Sequence, residues 1–204
     1  MEQLTLLPAL ASTVSDLETQ IDLIPATRKE QLAKLAAYLS EQSGKTARLN
    51  FICTHNSRRS HLGMIWAAVA AARHGRSVST YSGGTEATAF NPRAVAALQR
   101  AGFRIGNPGG ENPHYRVAFA EEVIPLTCFS KTYDDPTNPT ADFAAIMTCS
   151  EADQGCPFIP GAAWRLPLTY EDPKEADDTP EETARYDERT AQIGREILYA
   201  FSLV

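Results

Sequence analysis

Apolar positions recur at helical spacing through residues 27–43, where Leu32, Leu35, Ala36 and Leu39 share one face. Thr27 followed three residues later by Glu30 fits a capping box, and Gly44 fits a helix stop. This predicts a surface helix packed on a core, or one that docks a partner. Residues 47–53 (ARLNFIC) form a short apolar run suited to a buried strand. Residues 61–74 are Ala-rich with apolar side chains throughout, which predicts a helix ended by Gly75. A second strand is expected over 78–82, with Gly83 and Gly84 marking a turn. Asn91 and Pro92 open another helix, stopped by Gly102. Residues 106–115 are rich in Gly, Pro and Asn and read as loop. Strands are expected over 122–130 and 143–149, separated by the turn sequence YDDPTNPT. An irregular loop over 150–163, an extended stretch over 164–170 and a closing helix over 181–202 complete the chain.

The order strand, loop, helix, strand, turn, helix predicts an α/β sheet of parallel strands with helices on its faces. Residues 1–46 read as a helical extension and 47–204 as the main domain. The length of 204 residues suffices for one domain with a real core.

Charge and cysteine usage narrow the function. A net charge of −6 argues against nucleic acid as a partner, since clustered Lys and Arg carry such binding. There is no polybasic patch, and no apolar run approaches the ~20 residues that span a bilayer, so no membrane partner is expected. Residues 1–10 lack the basic region and small-residue cleavage site of a secretory signal. The expectation is a cytoplasmic protein. The four cysteines, Cys53, Cys128, Cys149 and Cys156, then read as reactive or core thiols, not as structural disulfides. They form no CxxC pair and no zinc-like spacing with His, so neither metal nor cofactor is expected.

The chemistry is concentrated in Cys53-Thr54-His55-Asn56-Ser57-Arg58-Arg59-Ser60, which has the form Cys, five residues, Arg, Ser. It lies between an expected strand and an expected helix. At the C-terminal end of a parallel strand such a loop faces the ligand crevice. The following helix aims free N–H groups and a partial positive charge into it. Successive backbone N–H groups from Thr54 to Ser60 then form a nest for an anion. A thiol at its base, Cys53, becomes a nucleophile because the dipole and Arg59 favour its thiolate. Arg59 offers a planar fork for two oxygens of a tetrahedral oxyanion such as phosphate or arsenate. Ser60 can hydrogen-bond the sulfur, and Asn56 can orient the loop through its amide. Arg58 adds positive charge at the rim. His55 is a surface side chain, an added anion contact or a proton donor.

This loop resembles the active-site loop of the low-molecular-weight protein tyrosine phosphatase superfamily, which includes the thioredoxin-coupled arsenate reductases. Two more stretches resemble the reductase branch: Tyr81-Ser82-Gly83-Gly84-Thr85-Glu86 followed by Asn91-Pro92, and Cys149-Ser150-Glu151-Ala152-Asp153-Gln154-Gly155-Cys156-Pro157. The resemblance covers residues 48–204 and leaves out the N-terminal helix. It implies an open, mostly parallel four-stranded sheet flanked by helices. It also implies a mechanism in which Cys53 attacks arsenate and Asp172, in Tyr170-Glu171-Asp172-Pro173, is the general acid. Cys149 and Cys156 would then relay a disulfide to thioredoxin. Asp135-Pro136 is a rival acid in a setting that reads as a plain turn.

Departures from the family pattern are His55 and Arg58 in the loop, and the long 106–140 segment. Met64 stands where some reductases carry a potassium-binding carboxylate, so no potassium site is expected. A phosphatase working through a Cys53 phosphocysteine uses the same first loop. It needs no Cys149/Cys156 pair, and it usually carries aromatic residues after the Asp-Pro. Here Lys174, Glu175 and Ala176 follow, leaving Trp164, Tyr170 or Tyr115 to grip a phenol ring. A non-catalytic oxyanion-binding regulator is the third reading.

Overall fold

The computed structural model describes residues 4–156 and 158–204; Met1–Gln3, and with them the start of the segment tested as a signal, lie outside the described residues, as does Pro157 at the end of the second cysteine segment. Leu10, Val14 and Leu17 recur at steps of four and three and form the buried face of a first helix, α1 (Pro8–Thr19), which the sequence reading did not separate. A 3-10 turn at Ile21–Leu23 leads to α2 (Ala26–Glu41), which buries Leu32, Leu35, Ala36 and Leu39. The expected capping box at Thr27 is not formed. Pro25 is the N-cap, with no side-chain cap bond, so Thr27 falls inside the first turn.

The sheet follows from the apolar runs. β1 (Ala47–Cys53) and β2 (Val78–Gly84) flank α3 (Arg59–Arg73), and α4 (Pro92–Arg100) follows, capped by the Asn91 side chain accepting from the Arg93 N–H at 2.9 Å. Gly83 and Gly84 end β2 instead of making a turn. A Cβ at Gly83 would lie 2.3 Å from the Tyr133 Cα, and one at Gly84 2.6 Å from the Thr54 carbonyl oxygen. Only glycine lets these backbones approach so closely.

The 102–130 region departs most from expectation. It forms a small antiparallel sheet of β3 (Arg104–Gly106), β4 (Tyr115–Ala118) and β5 (Leu126–Cys128), in the order β3-β4-β5. The expected strand over 122–130 shrinks to three residues outside the main sheet. β6 (Phe143–Met147) returns to that sheet with all five residues buried. The expected loop over 150–163 holds a short helix, α5 (Ser150–Gly155), and the start of β7 (Ala162–Pro167). A 3-10 turn at Pro173–Ala176 and the closing helix α6 (Glu182–Ser202) complete the chain.

The main sheet is four-stranded, ordered β2-β1-β6-β7 and parallel throughout. Helices cover its faces, and its inner strands β1 and β6 are nearly all apolar, as strands buried on both sides require. α6 packs against α1, α2, α3 and α4, and the N-terminal helices share one hydrophobic core with the sheet. No helix among the described residues is long and apolar enough to cross a membrane.

The α3–α6 crossing is tight. A Cβ at Gly194 would lie 2.8 Å from the fully buried Trp66 indole and 3.0 Å from a Leu17 methyl. Gly194→Ala should therefore cost about 1–3 kcal/mol through overpacking. Urea unfolding measures it, and unchanged stability would mean that this crossing is looser than described.

Candidate active site

Residues 53–60 leave the C-terminal end of β1 and enter α3 at Arg59. The loop's carbonyls accept hydrogen bonds from their surroundings. Cys53 and Thr54 accept from the N–H groups of Thr85 (3.1 Å) and Glu86 (2.9 Å), and Ser57 accepts from Asn91 N–H (2.8 Å). The His55 carbonyl accepts from the Ser130 hydroxyl at 2.9 Å. In a planar trans peptide the N–H points opposite to the C=O. The N–H groups of Thr54, His55, Asn56 and Arg58 therefore turn away from those partners.

Asn56 makes the loop's sharpest bend, with φ 44°, a left-handed conformation that Asn tolerates better than most residues. It is fully buried and its amide orders a chain of hydrogen bonds. The Lys131 N–H donates to Asn56 Oδ1 at 2.9 Å, and Asn56 Nδ2 donates to Ser60 Oγ at 2.8 Å. Ser60 Oγ lies 3.0 Å from Cys53 Sγ. Because Ser60 accepts from Asn56, its own proton is free for the sulfur. The chain thus aims a donor at Cys53 Sγ.

Arg59 is buried, and its fork joins two parts of the segment after β7. Nη1 donates to the Tyr170 carbonyl at 2.9 Å and Nη2 to Asp172 Oδ2 at 2.7 Å. The candidate oxyanion grip and the candidate acid are therefore in contact. Asp172 also caps the following 3-10 turn, accepting from Lys174 N–H at 3.1 Å. The rival Asp135 is a turn residue: Thr137 donates to its Oδ1 from N–H (2.9 Å) and hydroxyl (2.6 Å). These bonds hold its carboxyl below the usual range.

Two loop side chains are held by neighbours, and Arg58 Nε also stays 3.9 Å from Asp172 Oδ1. Arg58 Nε donates to the Tyr186 hydroxyl at 2.7 Å and Nη2 to Asp177 at 3.3 Å, so its charge is engaged by α6 and the segment before it. His55 is half exposed and pairs with Glu86 at 2.9 Å. The Tyr186–Asp177 pair was missed in the sequence, because nothing local ties residues more than a hundred positions apart to Arg58.

The register of the sheet brings the cysteines together. Ile52 pairs with Met147, and Thr148 N–H donates to the Ile52 carbonyl at 2.7 Å, so Cys149 follows the end of β6, the strand beside that of Cys53. Cys149 Sγ lies 3.4 Å from Thr54 Oγ1 and accepts from Ala152 N–H at 3.4 Å as the cap of α5. Cys53 and Cys149 share one apolar cluster with Ile52, Met147 and Ala152, and Cys156 packs against it. Cys128 lies in the other cluster, where burial pushes its thiol up to about 12. Burial also raises Cys149, against opposing pulls from Thr54, the Ala152 N–H and Arg59.

Beside Arg59 and Asp172 opens a cleft of about 610 Å³ whose charged lining is mixed but net acidic, with Glu151, Glu171, Glu175 and Glu181 set against Arg185 and Arg189. Of the three aromatic residues expected to grip a phenol, Tyr115 is buried, Trp164 stacks on Tyr38 with ring centroids 5.0 Å apart, and Tyr170 borders the cleft but is 5% exposed, with the Arg28 guanidinium over its ring. Met64 is buried in α3.

Cys149 and Cys156 are the two caps of α5. Seven residues of helix rise about 10 Å, beyond the Cα separation of about 4.4–6.8 Å that a disulfide spans. A Cys149–Cys156 disulfide therefore requires α5 to unwind and Arg165 to release its bonds to the carbonyls of Asp153 (2.6 Å) and Cys156 (3.2 Å). Oxidised protein should lose amide-exchange protection over 150–156. Retained protection would contradict a disulfide between these two residues.

No family model matches the chain. It is 31% identical over 149 residues to the arsenate reductase of Bacillus licheniformis, an alignment covering 72% of this chain and 89% of that protein. To the arsenate reductase of Bacillus subtilis it is 28% identical over 148 residues, with coverages of 72% and 89%. Among solved structures it is similar to a low-molecular-weight phosphotyrosine phosphatase from Vibrio cholerae O395, with TM-score 0.51 and 14% identity, covering 76% of this chain and 94% of that one. At such identity the likeness speaks for the fold alone. The four-stranded parallel sheet, the Cys-x5-Arg-Ser loop at its C-terminal edge and the relation to these reductases together make the chain a member of the arsenate reductase family, with the fold of the low-molecular-weight phosphatases.

Proposed function

We propose that the protein reduces arsenate to arsenite. The Cys53 thiolate attacks arsenic in arsenate held by the loop N–H groups and the Arg59 fork. An oxygen leaves as water after taking a proton from Asp172. The Cys149 thiolate then attacks Cys53 Sγ. The sulfur–arsenic bond breaks with its electron pair passing to arsenic, which departs as arsenite, and a Cys53–Cys149 disulfide remains. Cys156 attacks Cys149, which frees Cys53 and leaves a Cys149–Cys156 disulfide. An external dithiol, thioredoxin in this reading, reduces it. A compartment that keeps thiols reduced, the cytoplasm, suits such a cycle.

The observation that carries the reading is the packing of Cys53, Cys149 and Cys156 in one cluster while Cys128 lies apart. A phosphatase needs the first of these thiols alone. Phosphomonoester hydrolysis is the second reading, favoured by the contact between Arg59 and Asp172 at 2.7 Å, which serves either leaving group. That contact also argues against a regulator that only binds, for which an acid has no use. The acidic cleft without an aromatic clamp argues against phosphotyrosine in particular. The test is arsenite release with thioredoxin, thioredoxin reductase and NADPH, run beside hydrolysis of p-nitrophenyl phosphate. Arsenite release is expected; ester hydrolysis without it would make the protein a phosphatase.

A further inference from the structure

The N-terminal extension reaches the candidate site through Arg28, in the first turn of α2. Its guanidinium is nearly buried and donates in three directions: Nε to Glu196 Oε2 at 2.8 Å, Nη1 to Gln31 Oε1 at 2.9 Å and Nη2 to the Thr169 carbonyl at 3.1 Å. It also lies over the Tyr170 ring, 4.6 Å from the centroid. Glu196 is on α6, buried, and accepts from Gln192 at 3.0 Å as well. Arg28 thus joins α2, α6 and the segment that runs from β7 to Asp172.

That segment lies beyond the β7 ladder. Leu168 and Tyr170 bond the Met147 and Thr148 carbonyls at 2.9 and 3.1 Å. Tyr170 gives its own carbonyl to Arg59, and two residues on, Asp172 takes the other arm of the same fork. The Arg28 contact with Thr169 and the Tyr170 ring is therefore one residue from the group that sets Arg59 and three from the acid. A planar guanidinium meets the Thr169 carbonyl, Gln31, Glu196 and the ring face together; an ammonium is a point charge that cannot.

We propose that Arg28 is a positioning residue for the reaction: it fixes the 169–172 segment so that Asp172 and Arg59 meet the bound oxyanion, and the N-terminal extension thereby serves the chemistry as well as the core. The inference rests on the roles given above to Arg59 and Asp172. A purely structural ion pair between Arg28 and Glu196 would stabilise the fold without any tie to Asp172.

The test compares the full-length wild type with Arg28→Lys, Asp172→Asn, the double variant Arg28→Lys/Asp172→Asn, and Arg28→Met/Glu196→Gln. The last removes both charges, so that no lone carboxylate stays buried. Thermal melts are recorded, with kcat and KM for arsenate and for p-nitrophenyl phosphate. Arg28→Lys should lower kcat about tenfold with KM within about twofold, and the charge-pair variant should do the same. Asp172→Asn should lower kcat about a hundredfold. The double variant should be slower than Asp172→Asn by clearly less than the roughly tenfold that Arg28→Lys costs alone, since a mispositioned acid and a missing acid are one defect and only the share that acts through Arg59 remains. Multiplied losses in the double variant, or wild-type kcat in the Arg28 variants with only a lower melting temperature, would overturn the inference. Wild-type kcat in Asp172→Asn would remove the acid role and the inference with it. A wild type that hydrolyses the ester and spares arsenate would sink the reductase reading while the Arg28 comparison still reads on the ester.

Discussion

Cys53→Ser should lose arsenate reduction and ester hydrolysis together, by at least about 10⁴-fold, as removal of a covalent nucleophile does elsewhere. The sulfur ends β1 at the base of the loop, 3.0 Å from a serine whose proton is free for it. A serine hydroxyl in its place is a far weaker nucleophile, and no base stands beside it to draw off its proton. The fold should survive: the residue is nearly buried, the substitution is close to isosteric, and the Lys131–Asn56–Ser60 chain remains. The variant should melt within a few degrees of wild type and still bind phosphate. Activity above about 1% of wild type, on preparations shown free of wild type by mass, would remove Cys53 from the reaction.

Cys149→Ser and Cys156→Ser should both stop arsenate turnover, but at different points. Without Cys149 no thiol attacks the Cys53–arsenic bond, so arsenite is not released at all and the steady-state rate falls at least about 10³-fold. Without Cys156 one arsenite per protein is released and the cycle then halts. Both variants should hydrolyse p-nitrophenyl phosphate within about threefold of wild type, because ester hydrolysis asks nothing of either thiol. The step at Cys149 also carries a pH signature. Burial holds its thiol above the ordinary range, so the attacking thiolate becomes more abundant as pH rises. The single-turnover arsenite burst of Cys156→Ser should therefore keep accelerating above pH about 8.5, the midpoint of a free thiol. A burst rate that levels off below that pH would point to a different rate-limiting group.

Much of the site was legible because its geometry is local. A strand, a loop of fixed length and a helix follow one another in sequence, so Cys53 and Arg59 had to face a common hollow. The proximity of Cys149 to Cys53 was suggested by family resemblance alone, since it depends on β6 pairing with β1 across about ninety intervening residues, which no local pattern encodes. The partners of Arg58 are hidden for the same reason, since Tyr186 and Asp177 arrive from the far end of the chain. The strand expected over 122–130 failed because short, partly exposed strands such as Leu126–Cys128 carry no alternation long enough to read. α1 was within reach: Leu10, Val14 and Leu17 share a helical face, and Pro8 stands at its first turn. Arg28 gave no signal at all, since a positive charge in a first helical turn reads as a solvated residue until Glu196 and Thr169 surround it.

The most direct measurement is the state of the thiols after one turnover. Reduced Cys156→Ser protein is mixed with one equivalent of arsenate, quenched with acid, alkylated and mapped by mass spectrometry, with arsenite counted in the same sample. The account predicts one arsenite per protein, a Cys53–Cys149 disulfide, and Cys128 alkylated as a free thiol. Arsenite formed without that disulfide, or with Cys53 joined to Cys128, would contradict it.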